Sequence, residues 1–502
     1  MNKNLDQKLK IAIKTFGCQM NVYDSQVAEG FLKKVGYEVI GESETGDMGQ
    51  ETRSVTPAPC PTSLAPEYVA DVILMNTCSV REHAEDRVYS RLGMLGKIKR
   101  TNPNLIVGLM GCMVEEHKEK LFKRFPQLDF MVGTRNISEL PSLIEHVTKT
   151  REQVARIKQD GISIEYSELI NRQEKFHAWL PIMTGCNKIC TFCIVPITRG
   201  SEVSMPAREV YREASRLVSE GVKWITLLGQ NVNSYNGVGD AEREMRFLSH
   251  PREGGDLDSR FRGNDIKKGI SFSELVDMLC QIEGLERISF TTSHPHDATE
   301  ELYRVIRRNP KISRRFHLPL QSGSDRTLKR MKRLHTYEEY KAKIDLMREL
   351  IPDVSVTTDI ITGFSGETDE DHRVTCAALE NLRYDSAFIY KYSLRHGTPA
   401  AKLEDDVALA VKESRHQELL AIQRRITEEN NRARVGKTVT VFAEALNQKD
   451  PAQVVGRTDQ DKKVLFSGWQ EVIGQLVKIQ LTDLRYETFI GELVGHKSIG
   501  VL

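Results

Sequence analysis

The regular alternation of short apolar runs with helical patterns constrains the fold of this 502-residue chain most strongly. Residues 9–148 contain four such runs, which read KIAIKTF, DVILMNT, NLIVGLMG and LDFMVGT. Continuous apolar runs of this length are typical of parallel strands that are buried on both faces. Parallel neighbours require crossovers, and helical stretches lie between the runs. The sequence therefore predicts an α/β N-terminal domain over residues 9–148, built on a doubly wound sheet.

A second strand–helix array follows over residues 172–405, after a charged segment, 150–172, that is typical of a linker. Its candidate strands are AWLPIMTG, KWITLLGQ, RISFTTS, RFHLPLQSG, VSVTTDIITGF and SAFIYKYS. Six strand–helix units favour a partial (β/α)6 barrel over a complete eightfold one. In such a barrel we expect the chemistry at the carboxyl ends of the strands.

The pattern changes once more after a charged, periodic stretch, 405–432, that predicts a long helix. Short strands then follow one another in KTVTVFAEAL, AQVVGRT, KKVLFSG, LVKIQLTDL and TFIGELV. They predict a small five-stranded β-barrel over residues 430–497, of a kind that often binds nucleic acid. Two further segments, 42–66 and 239–268, are rich in turn-forming or charged residues and are typical of surface insertions.

Charge and composition exclude several classes of protein. The 71 basic and 70 acidic residues give a net charge of +1, so the overall charge does not indicate a nucleic-acid partner. The sequence contains no apolar run long enough to span a membrane, and its polar start lacks the apolar core of a secretory signal. We therefore expect a cytoplasmic protein without membrane contact. In that reducing compartment any of the nine cysteines that cluster should act as metal ligands or catalysts.

Three cysteines lie close together in TGCNKICTFC, just after the first predicted barrel strand: Cys186, Cys190 and Cys193. Three thiolates on one tight loop can hold three irons of a 4Fe-4S cluster and leave the fourth iron open. The open iron can chelate the amino and carboxylate groups of a small molecule, and S-adenosylmethionine fits this requirement. A structural zinc site with His177 as fourth ligand, or three inert thiols, are the alternatives.

Three other cysteines are far apart in sequence but share one local setting. Cys18, Cys78 and Cys112 each follow an apolar strand of the N-terminal domain. Ligands of open α/β sheets bind outside the carboxyl ends of the strands, so these thiols should converge and could hold a second iron–sulfur cluster. The alternative is that they are ordinary buried cysteines. The remaining cysteines do not share the pattern and are interpreted as non-ligands: Cys60, Cys280 and Cys376.

Taken in order, these motifs resemble the radical S-adenosylmethionine methylthiotransferases. The resemblance runs from Lys8 to Leu493 and is carried by KTFGCQMN, NTCSVRE, GLMGCM, GCNKICTFCIVPITRGSE, LLGQNVNSY, TSHPHD, HLPLQSGS, TTDIITGF, GTPA and a C-terminal barrel similar to a TRAM domain. It implies a fold with a radical-SAM barrel and a TRAM-like RNA-binding barrel. NTCSVRE and LLGQNVNSY are closest to the branch that methylthiolates C2 of N(6)-dimethylallyladenosine next to the anticodon of tRNA.

The resemblance also implies how the cysteines are used. All six would be catalytic cluster ligands for two 4Fe-4S clusters, with S-adenosylmethionine as further cofactor. The cluster on the Cys186 loop would cleave S-adenosylmethionine to a 5′-deoxyadenosyl radical that abstracts the hydrogen from C2. The cluster on the Cys18 triad would carry or donate sulfur, and a second S-adenosylmethionine would supply the methyl group. Ser79 and Arg81 in NTCSVRE would stand near the sulfur.

Further residues at predicted strand ends are candidates for contact with the cofactor: Gly229, Gln230, Asn231, Gln321, Ser322 and Asp359. Ordinary loop and turn chemistry is the alternative for each of them. His294 and His296 could face the pocket or be hydrogen-bonded structural histidines. Arg199 and Arg208 could meet a carboxylate or RNA phosphate, or simply be solvated.

The expected partners are the anticodon stem-loop of tRNA, S-adenosylmethionine and an electron donor such as a flavodoxin or ferredoxin, with the protein acting as a monomer. Two related activities remain open, namely methylthiolation of a ribosomal protein and of threonylcarbamoyl-adenosine in tRNA. A different class is a non-catalytic iron–sulfur protein that binds RNA or transfers electrons, although simple electron transfer needs no open iron.

Overall fold

The computed structural model describes the chain in seven stretches: 9–41, 69–79, 82–157, 170, 172, 174–237 and 269–494. The predicted insertions, 42–66 and 239–268, lie outside these stretches. The chain divides into two compact units, the first made of Met1–Gln173, Thr184–Lys188 and Cys193–Val203, the second of Glu174–Met183, Ile189–Phe192 and Ser204–Leu502. Among the described helices, none is both long and apolar enough to cross a membrane.

The first unit is built on a parallel sheet, as the sequence predicts, and this sheet has six strands, two more than the four apolar runs indicate. Its strands are β1 (Lys10–Phe16), β2 (Glu38–Gly41), β3 (Val72–Thr77), β4 (Ile106–Gly111), β5 (Phe130–Val132) and β6 (Val154–Arg156). Their order in the sheet is β2-β1-β3-β4-β5-β6. The chain therefore builds outward in one direction from β1 and in the other from β3. The strand order reverses between these two strands, which is where a doubly wound sheet opens a binding crevice.

Five described helices of the first unit lie between these strands: Gln19–Lys34, Glu82–Thr101, Cys112–His117, Lys120–Arg124 and Leu140–Thr150. A sixth, Val195–Thr198, follows much later in the chain, after the short strand Met183–Thr184. Every residue of β3 and β4 is buried, in agreement with their continuous apolar sequence. The core below them combines Ile73, Val107 and Leu109 with Leu92 and Leu95 of the Glu82–Thr101 helix.

Two strands at the edges of this sheet were not evident from the sequence. β6 pairs in parallel with β5, with Val154 opposite Phe130, so the interpretation of 150–172 as a linker is wrong for Val154–Arg156. β2 pairs with β1 in the same way at the other edge. Both are short, and β6 is only partly buried, so neither carries the long apolar run by which buried strands are recognised.

The second unit contains the predicted partial (β/α)6 barrel. Its strands are β7 (His177–Pro181), β10 (Trp224–Leu228), β13 (Arg287–Phe290), β14 (Arg315–His317), β15 (Ser355–Thr362) and β16 (Ser386–Lys391). They form two parallel three-stranded sheets, β7-β10-β13 and β14-β15-β16. A parallel bridge between Ile288 and Ile312, just before β14, joins the two sheets. The six strands therefore follow one another in chain order, as the sequence predicts.

The elements around these strands are helices and very short strands. The helices are Ala207–Ser219, Phe272–Leu279, Glu300–Arg308, Asp325–Arg330, Tyr337–Leu350, Asp369–Leu382 and Leu409–Arg432. Four two-residue strands complete the numbering: β8 (Met183–Thr184), β9 (Val203–Ser204), β11 (Asn236–Gly237) and β12 (Ile270–Ser271).

The C-terminal part of the second unit is a closed five-stranded barrel, again as predicted. Its strands are β17 (Thr438–Asn447), β18 (Asp450–Thr458), β19 (Lys463–Ser467), β20 (Leu476–Arg485) and β21 (Thr488–Leu493), in the order β17-β18-β19-β21-β20. Alternate side chains fill its interior, including Val441, Val454, Phe466, Ile479 and Phe489.

This small barrel packs against the amino ends of the parallel strands. Arg287, the first residue of β13, donates Nη2 to Asp459 Oδ1 at 2.8 Å, and Arg315, the first residue of β14, donates Nη1 to Asp461 Oδ2 at 2.7 Å. The Asp459 pair is partly buried, because Arg287 is 3% exposed. The carboxyl ends of the strands, where chemistry is expected, therefore lie opposite the small barrel.

Candidate active site

Three cysteines of the first unit lie at the carboxyl ends of three neighbouring strands, β1, β3 and β4. Cys18 follows β1 and begins the Gln19–Lys34 helix, Cys78 follows β3, and Cys112 begins the helix after β4. The Cys78 amide donates to the Phe16 carbonyl at 2.9 Å, which continues the β1–β3 pairing up to the cysteine. A side chain at Gly17 would place its Cβ 2.9 Å from Cys78 Cβ, so glycine permits this close approach. The expected approach of the Cys18 and Cys78 segments is therefore present, and Cys112 lies at the end of the next strand, β4.

A buried pair of asparagines locks the Cys18 and Cys78 segments together. Asn21 Oδ1 accepts hydrogen bonds from the amide of Cys18 at 3.2 Å and from its thiol at 3.3 Å. Asn21 Nδ2 donates to Asn76 Oδ1 at 3.1 Å, and Asn76 Nδ2 donates back to the Asn21 carbonyl at 2.7 Å and to Ser25 Oγ at 2.9 Å. Both asparagines are fully buried, so these bonds hold the thiols without help from solvent.

Arg199 contacts the third cysteine of this group. Its Nε donates to Cys112 Sγ at 3.3 Å, and its Nη2 forms an ion pair with Asp24 Oδ2 at 2.6 Å. The side chains of Arg199 and Asp24 are 3% and 4% exposed, so the interpretation of Arg199 as solvated is wrong. Arg135 Nη2 donates to the Arg199 carbonyl at 2.8 Å and positions this segment. The charge of the buried guanidinium is therefore balanced by a buried carboxylate.

These contacts shift the pKa values of the thiols in different directions. The hydrogen bond with the Cys78 thiol and the Arg199 cation lower the pKa of Cys18 to about 6, against the opposing effect of burial. Burial raises the pKa of Cys112, although Arg199 opposes the shift. Burial also raises the pKa of the Asp24 carboxyl, against the attraction of Arg199. The thiolate is the form that binds metal, so Cys18 is prepared for ligation at neutral pH.

The loop with Cys186, Cys190 and Cys193 follows β8. The Cys186 amide donates to the Gly200 carbonyl at 3.1 Å, and Gly185 before it has φ +76°, a conformation that favours glycine. Thr191 donates its amide to the Met331 carbonyl at 3.0 Å, and this bond fixes the Cys190 segment within the second unit. Cys190 is buried, and the other two cysteines are partly exposed.

Arg333 holds the buried cysteine of this loop. Its Nη1 donates to Cys190 Sγ at 3.3 Å and its Nη2 to the Pro319 carbonyl at 3.0 Å. The Arg333 side chain is 9% exposed, and its Nε has no hydrogen-bond partner within the described part of the chain. A buried donor that is left unsatisfied is unfavourable, so the site calls for a further acceptor.

His177 does not fit as the fourth ligand of a structural zinc site. His177 opens β7, whereas the cysteine loop follows the other end of that strand. His177 Nδ1 lies 2.7 Å from Glu174 Oε2, and its Nε2 lies 2.9 Å from Thr226 Oγ1. Both ring nitrogens therefore have partners, and neither is available for a metal ion.

Some polar groups of the residues after β10 already form hydrogen bonds within the protein. The Gly229 carbonyl accepts a hydrogen bond from Thr292 Oγ1 at 2.6 Å, and Gln230 next to it is partly exposed. Asn231 is buried and donates Nδ2 to Asp297 Oδ2 at 2.7 Å. Asn231 Oδ1 is buried without a partner among the described residues. This oxygen can accept a hydrogen bond from a bound molecule.

The residues after β14 show the same mixture. Gln321 has φ +74°, donates its amide to the Asp359 carbonyl at 2.8 Å, and buries an Oε1 that has no partner among the described residues. Ser322 is buried with its Oγ 3.3 Å from Thr375 Oγ1. Asp359 Oδ2 lies 3.3 Å from His317 Nε2. Asn231 and Gln321 therefore offer unused acceptors at the carboxyl ends of two strands, whereas Ser322 and Asp359 are already engaged.

Other candidates lie in simpler surroundings. His294 is buried, and its Nδ1 accepts a hydrogen bond from the His296 amide. This agrees with the interpretation of His294 as a hydrogen-bonded structural histidine. Arg208 is exposed on the Ala207–Ser219 helix. Burial raises the pKa of Cys280 to about 12 and that of Cys376 to about 11, so both thiols stay protonated. Cys60 and Arg81 lie outside the described residues.

Four residues of the site escaped the sequence analysis: Asp24, Asn21, Asn76 and Arg333. The two asparagines stand in the motifs KTFGCQMN and NTCSVRE, three residues after Cys18 and two residues before Cys78. Their position was visible, but their pairing was not, because it joins segments 55 residues apart. Ser79 was expected beside the sulfur site; it is fully buried, with an Oγ that has no partner among the described residues.

Comparison with known proteins matches nearly the whole chain. The model of the radical SAM superfamily matches residues 180–379, uncharacterized protein family UPF0004 matches 10–49 and 62–133, and the TRAM domain matches 432–494. The tRNA-2-methylthio-N(6)-dimethylallyladenosine synthase of Dictyoglomus thermophilum is 40% identical over 486 residues, which cover 97% of this chain and 98% of the relative. The protein of the same name from Carboxydothermus hydrogenoformans is 39% identical over 482 residues, covering 96% and 98%.

Solved structures are more distant. The radical S-adenosylmethionine methyltransferase TsrM from Kitasatospora setae, with cobalamin and a 4Fe-4S cluster bound, has a TM-score of 0.49 at 12% identity. The match covers 78% of this chain and 74% of that one, and it is too weak to bear on function.

Proposed function

The chain belongs to the family of tRNA-2-methylthio-N(6)-dimethylallyladenosine synthases, and from this membership we propose that it inserts a methylthio group at C2 of N(6)-dimethylallyladenosine next to the anticodon of tRNA. It is a radical SAM enzyme, with two 4Fe-4S clusters and S-adenosylmethionine as cofactors. The observation that supports the proposal is the position of Cys18, Cys78 and Cys112 at the carboxyl ends of three neighbouring parallel strands, in a chain that also has the Cys186, Cys190 and Cys193 loop after β8.

The donor sets fit the two clusters. Each group provides three cysteine sulfurs, and in each group an arginine already donates to one sulfur. We assign one cluster to Cys18, Cys78 and Cys112, and the other to Cys186, Cys190 and Cys193. When bound, the clusters supply the electron for reductive cleavage of S-adenosylmethionine and the place from which sulfur is delivered.

The protein's own residues bind and orient these groups. Asn21 and Asn76 hold the backbone of the first two sulfur ligands in place, and Cys18 is ready as a thiolate because its pKa is about 6. In this proposal Asn231 Oδ1 and Gln321 Oε1, which are buried without a partner among the described residues, would accept hydrogen bonds from the bound S-adenosylmethionine. Because the barrel strands lead these residues to one end, the cofactor would be held over the carboxyl ends of β10 and β14.

The tRNA would be held mainly through its phosphates, with the TRAM domain as one RNA-binding surface. We further propose a flavodoxin or ferredoxin as electron donor, action as a monomer, and a cytoplasmic location where tRNA is available. Methylthiolation of a ribosomal protein or of threonylcarbamoyl-adenosine is less well supported, since the relatives at 40% and 39% identity are named for dimethylallyladenosine.

A substrate competition tests the proposal. Anaerobically reconstituted enzyme is given three substrates with S-adenosylmethionine and reductant: tRNA with the dimethylallyl group, the same tRNA without it, and ribosomal protein S12. Mass spectrometry should find the methylthio group on the dimethylallyl-tRNA alone, and activity should fall steeply with salt. The Cys186→Ala variant is the inactive control. Turnover confined to the unmodified tRNA or to the ribosomal protein would refute the substrate assignment.

A further inference from the structure

We propose that Arg333 raises the reduction potential of the cluster on the Cys186 loop by carrying an uncompensated positive charge at Cys190. This inference rests on the proposed function, because it presumes a 4Fe-4S cluster on that loop. Arg333 would act through Cys190 and is therefore a positioning residue. It lies between the helices Asp325–Arg330 and Tyr337–Leu350, and its amide donates to the Leu328 carbonyl at 2.9 Å.

The charge of Arg333 has no carboxylate partner. Its guanidinium donates to Cys190 Sγ and to the neutral Pro319 carbonyl, and it forms no ion pair with any described aspartate or glutamate. A buried cation is unfavourable unless an anion lies close to it. The Cys190 sulfur is the group in contact that becomes anionic, when it ligates iron as a thiolate. The site is therefore electrostatically complete only when the loop carries its cluster.

The cation should then favour the reduced form of that cluster. A 4Fe-4S cluster held by three thiolates has a net negative charge, which grows by one when the cluster accepts an electron. Nearby charge and hydrogen bonds to the sulfurs are among the factors that determine cluster potentials. In a buried setting the added electron is stabilised by Arg333 more than it would be in water.

Arg199 provides an internal comparison within the first unit. It donates to Cys112 Sγ at the same distance, 3.3 Å, but its charge is balanced by Asp24. The two arginines thus make the same hydrogen bond to a sulfur ligand, and only Arg333 adds a net charge. We expect Arg333 to favour electron entry at the cluster that cleaves S-adenosylmethionine, whereas Arg199 gives no such advantage to the sulfur-bearing cluster.

The test measures the midpoint potential of the cluster on the Cys186 loop. Arg333→Gln is introduced into full-length protein in which Cys18, Cys78 and Cys112 are alanine, so that only the Cys186-loop cluster forms. Redox titration followed by electron paramagnetic resonance should show the reduction equilibrium at least tenfold less favourable, which is about 59 mV for a one-electron couple. Lys329→Gln removes an equal charge from an exposed position of the neighbouring helix and should leave the potential unchanged, because solvent screens that charge.

Arg333→Lys separates charge from geometry. It keeps the positive charge but loses the planar fork of donors. If the reduction equilibrium constant of Arg333→Lys stays within a few-fold of the wild-type value, the charge argument is supported. If that constant falls tenfold, the argument is refuted. This variant also decides the matter if Arg333→Gln fails to hold iron.

Two failures are distinguishable. If the wild-type loop forms no 4Fe-4S cluster, the proposed function fails. If the cluster forms and Arg333→Gln leaves its potential unchanged, or if Lys329→Gln lowers the potential equally, only the inference about Arg333 fails.

Discussion

Replacing Asn76 should weaken both the fold of the first unit and its iron site. The Asn76 side chain makes three buried hydrogen bonds, donating to the Asn21 carbonyl at 2.7 Å and to Ser25 Oγ at 2.9 Å and accepting from Asn21 Nδ2 at 3.1 Å. A buried hydrogen bond contributes about 1 kcal/mol net. Asn76→Ala should therefore lower the free energy of unfolding by about 3 kcal/mol, a large part of the roughly 5–15 kcal/mol typical of a folded domain.

The same change should loosen the thiols. Without Asn76, Asn21 Nδ2 keeps only its bond to the Thr77 carbonyl at 3.2 Å, so the segments with Cys18 and Cys78 lose most of the hydrogen bonds between them. Iron bound at this site should fall, whereas iron at the Cys186 loop should remain. The free energy is read from urea unfolding of the iron-free protein, and iron from anaerobic reconstitution.

Asn102→Ala is the matched control, because Asn102 is exposed just after the Glu82–Thr101 helix. It should change the free energy of unfolding by less than about 0.5 kcal/mol. The reasoning is refuted if Asn76→Ala unfolds within about 0.5 kcal/mol of wild type and also retains full iron at the Cys18 site.

Two further predictions concern the second unit. Asp459→Ala removes the carboxylate that is paired with the buried Arg287, and it should lower the free energy of unfolding by about 2 kcal/mol. Asp483→Ala breaks an exposed ion pair and should lower it by less than about 1 kcal/mol. Equal effects of the two variants in urea unfolding would contradict this. Burial lowers the pKa of His335 from 6.5 to about 3. Between pH 6.5 and about pH 3 this histidine is therefore protonated in the unfolded chain but neutral in the folded protein. The free energy of unfolding should fall by about 1.4 kcal/mol for each unit by which the pH drops through this range. His335→Phe should flatten this slope and His146→Phe, at an exposed position, should not; an unchanged slope in His335→Phe would count against it.

The sequence was sufficient for the architecture because its buried elements are periodic. The strands β3 and β4 are fully buried and apolar, and the six barrel strands each carry a recognisable run. The convergence of Cys18, Cys78 and Cys112 also followed from the sequence, since carboxyl ends of parallel strands meet at one edge of a sheet. The edge strands β2 and β6 were missed because they are short and only partly buried.

The remaining features of the site depend on partners that are distant along the chain. Arg199 was expected to meet a carboxylate or RNA phosphate or to be solvated, but its actual partner, Asp24, is 175 residues away in sequence. Arg333 reaches Cys190 across 143 residues. Local patterns report burial and turns, and they carry no information about which charged side chain meets which. Such pairings become visible only when the strands and helices are assembled.

The central claim is that the two cysteine groups have separate roles, and a pair of variants tests it most directly. Wild type, Cys78→Ala and Cys186→Ala are reconstituted anaerobically, their iron is measured, and each is assayed for cleavage of S-adenosylmethionine and for methylthiolation of dimethylallyl-tRNA. Cys78→Ala should still cleave S-adenosylmethionine but form no methylthio product, and Cys186→Ala should do neither while keeping iron at the Cys18 site. Loss of cleavage in a folded Cys78→Ala protein that retains its Cys186-loop cluster, or methylthiolation by Cys186→Ala, would contradict the division of roles.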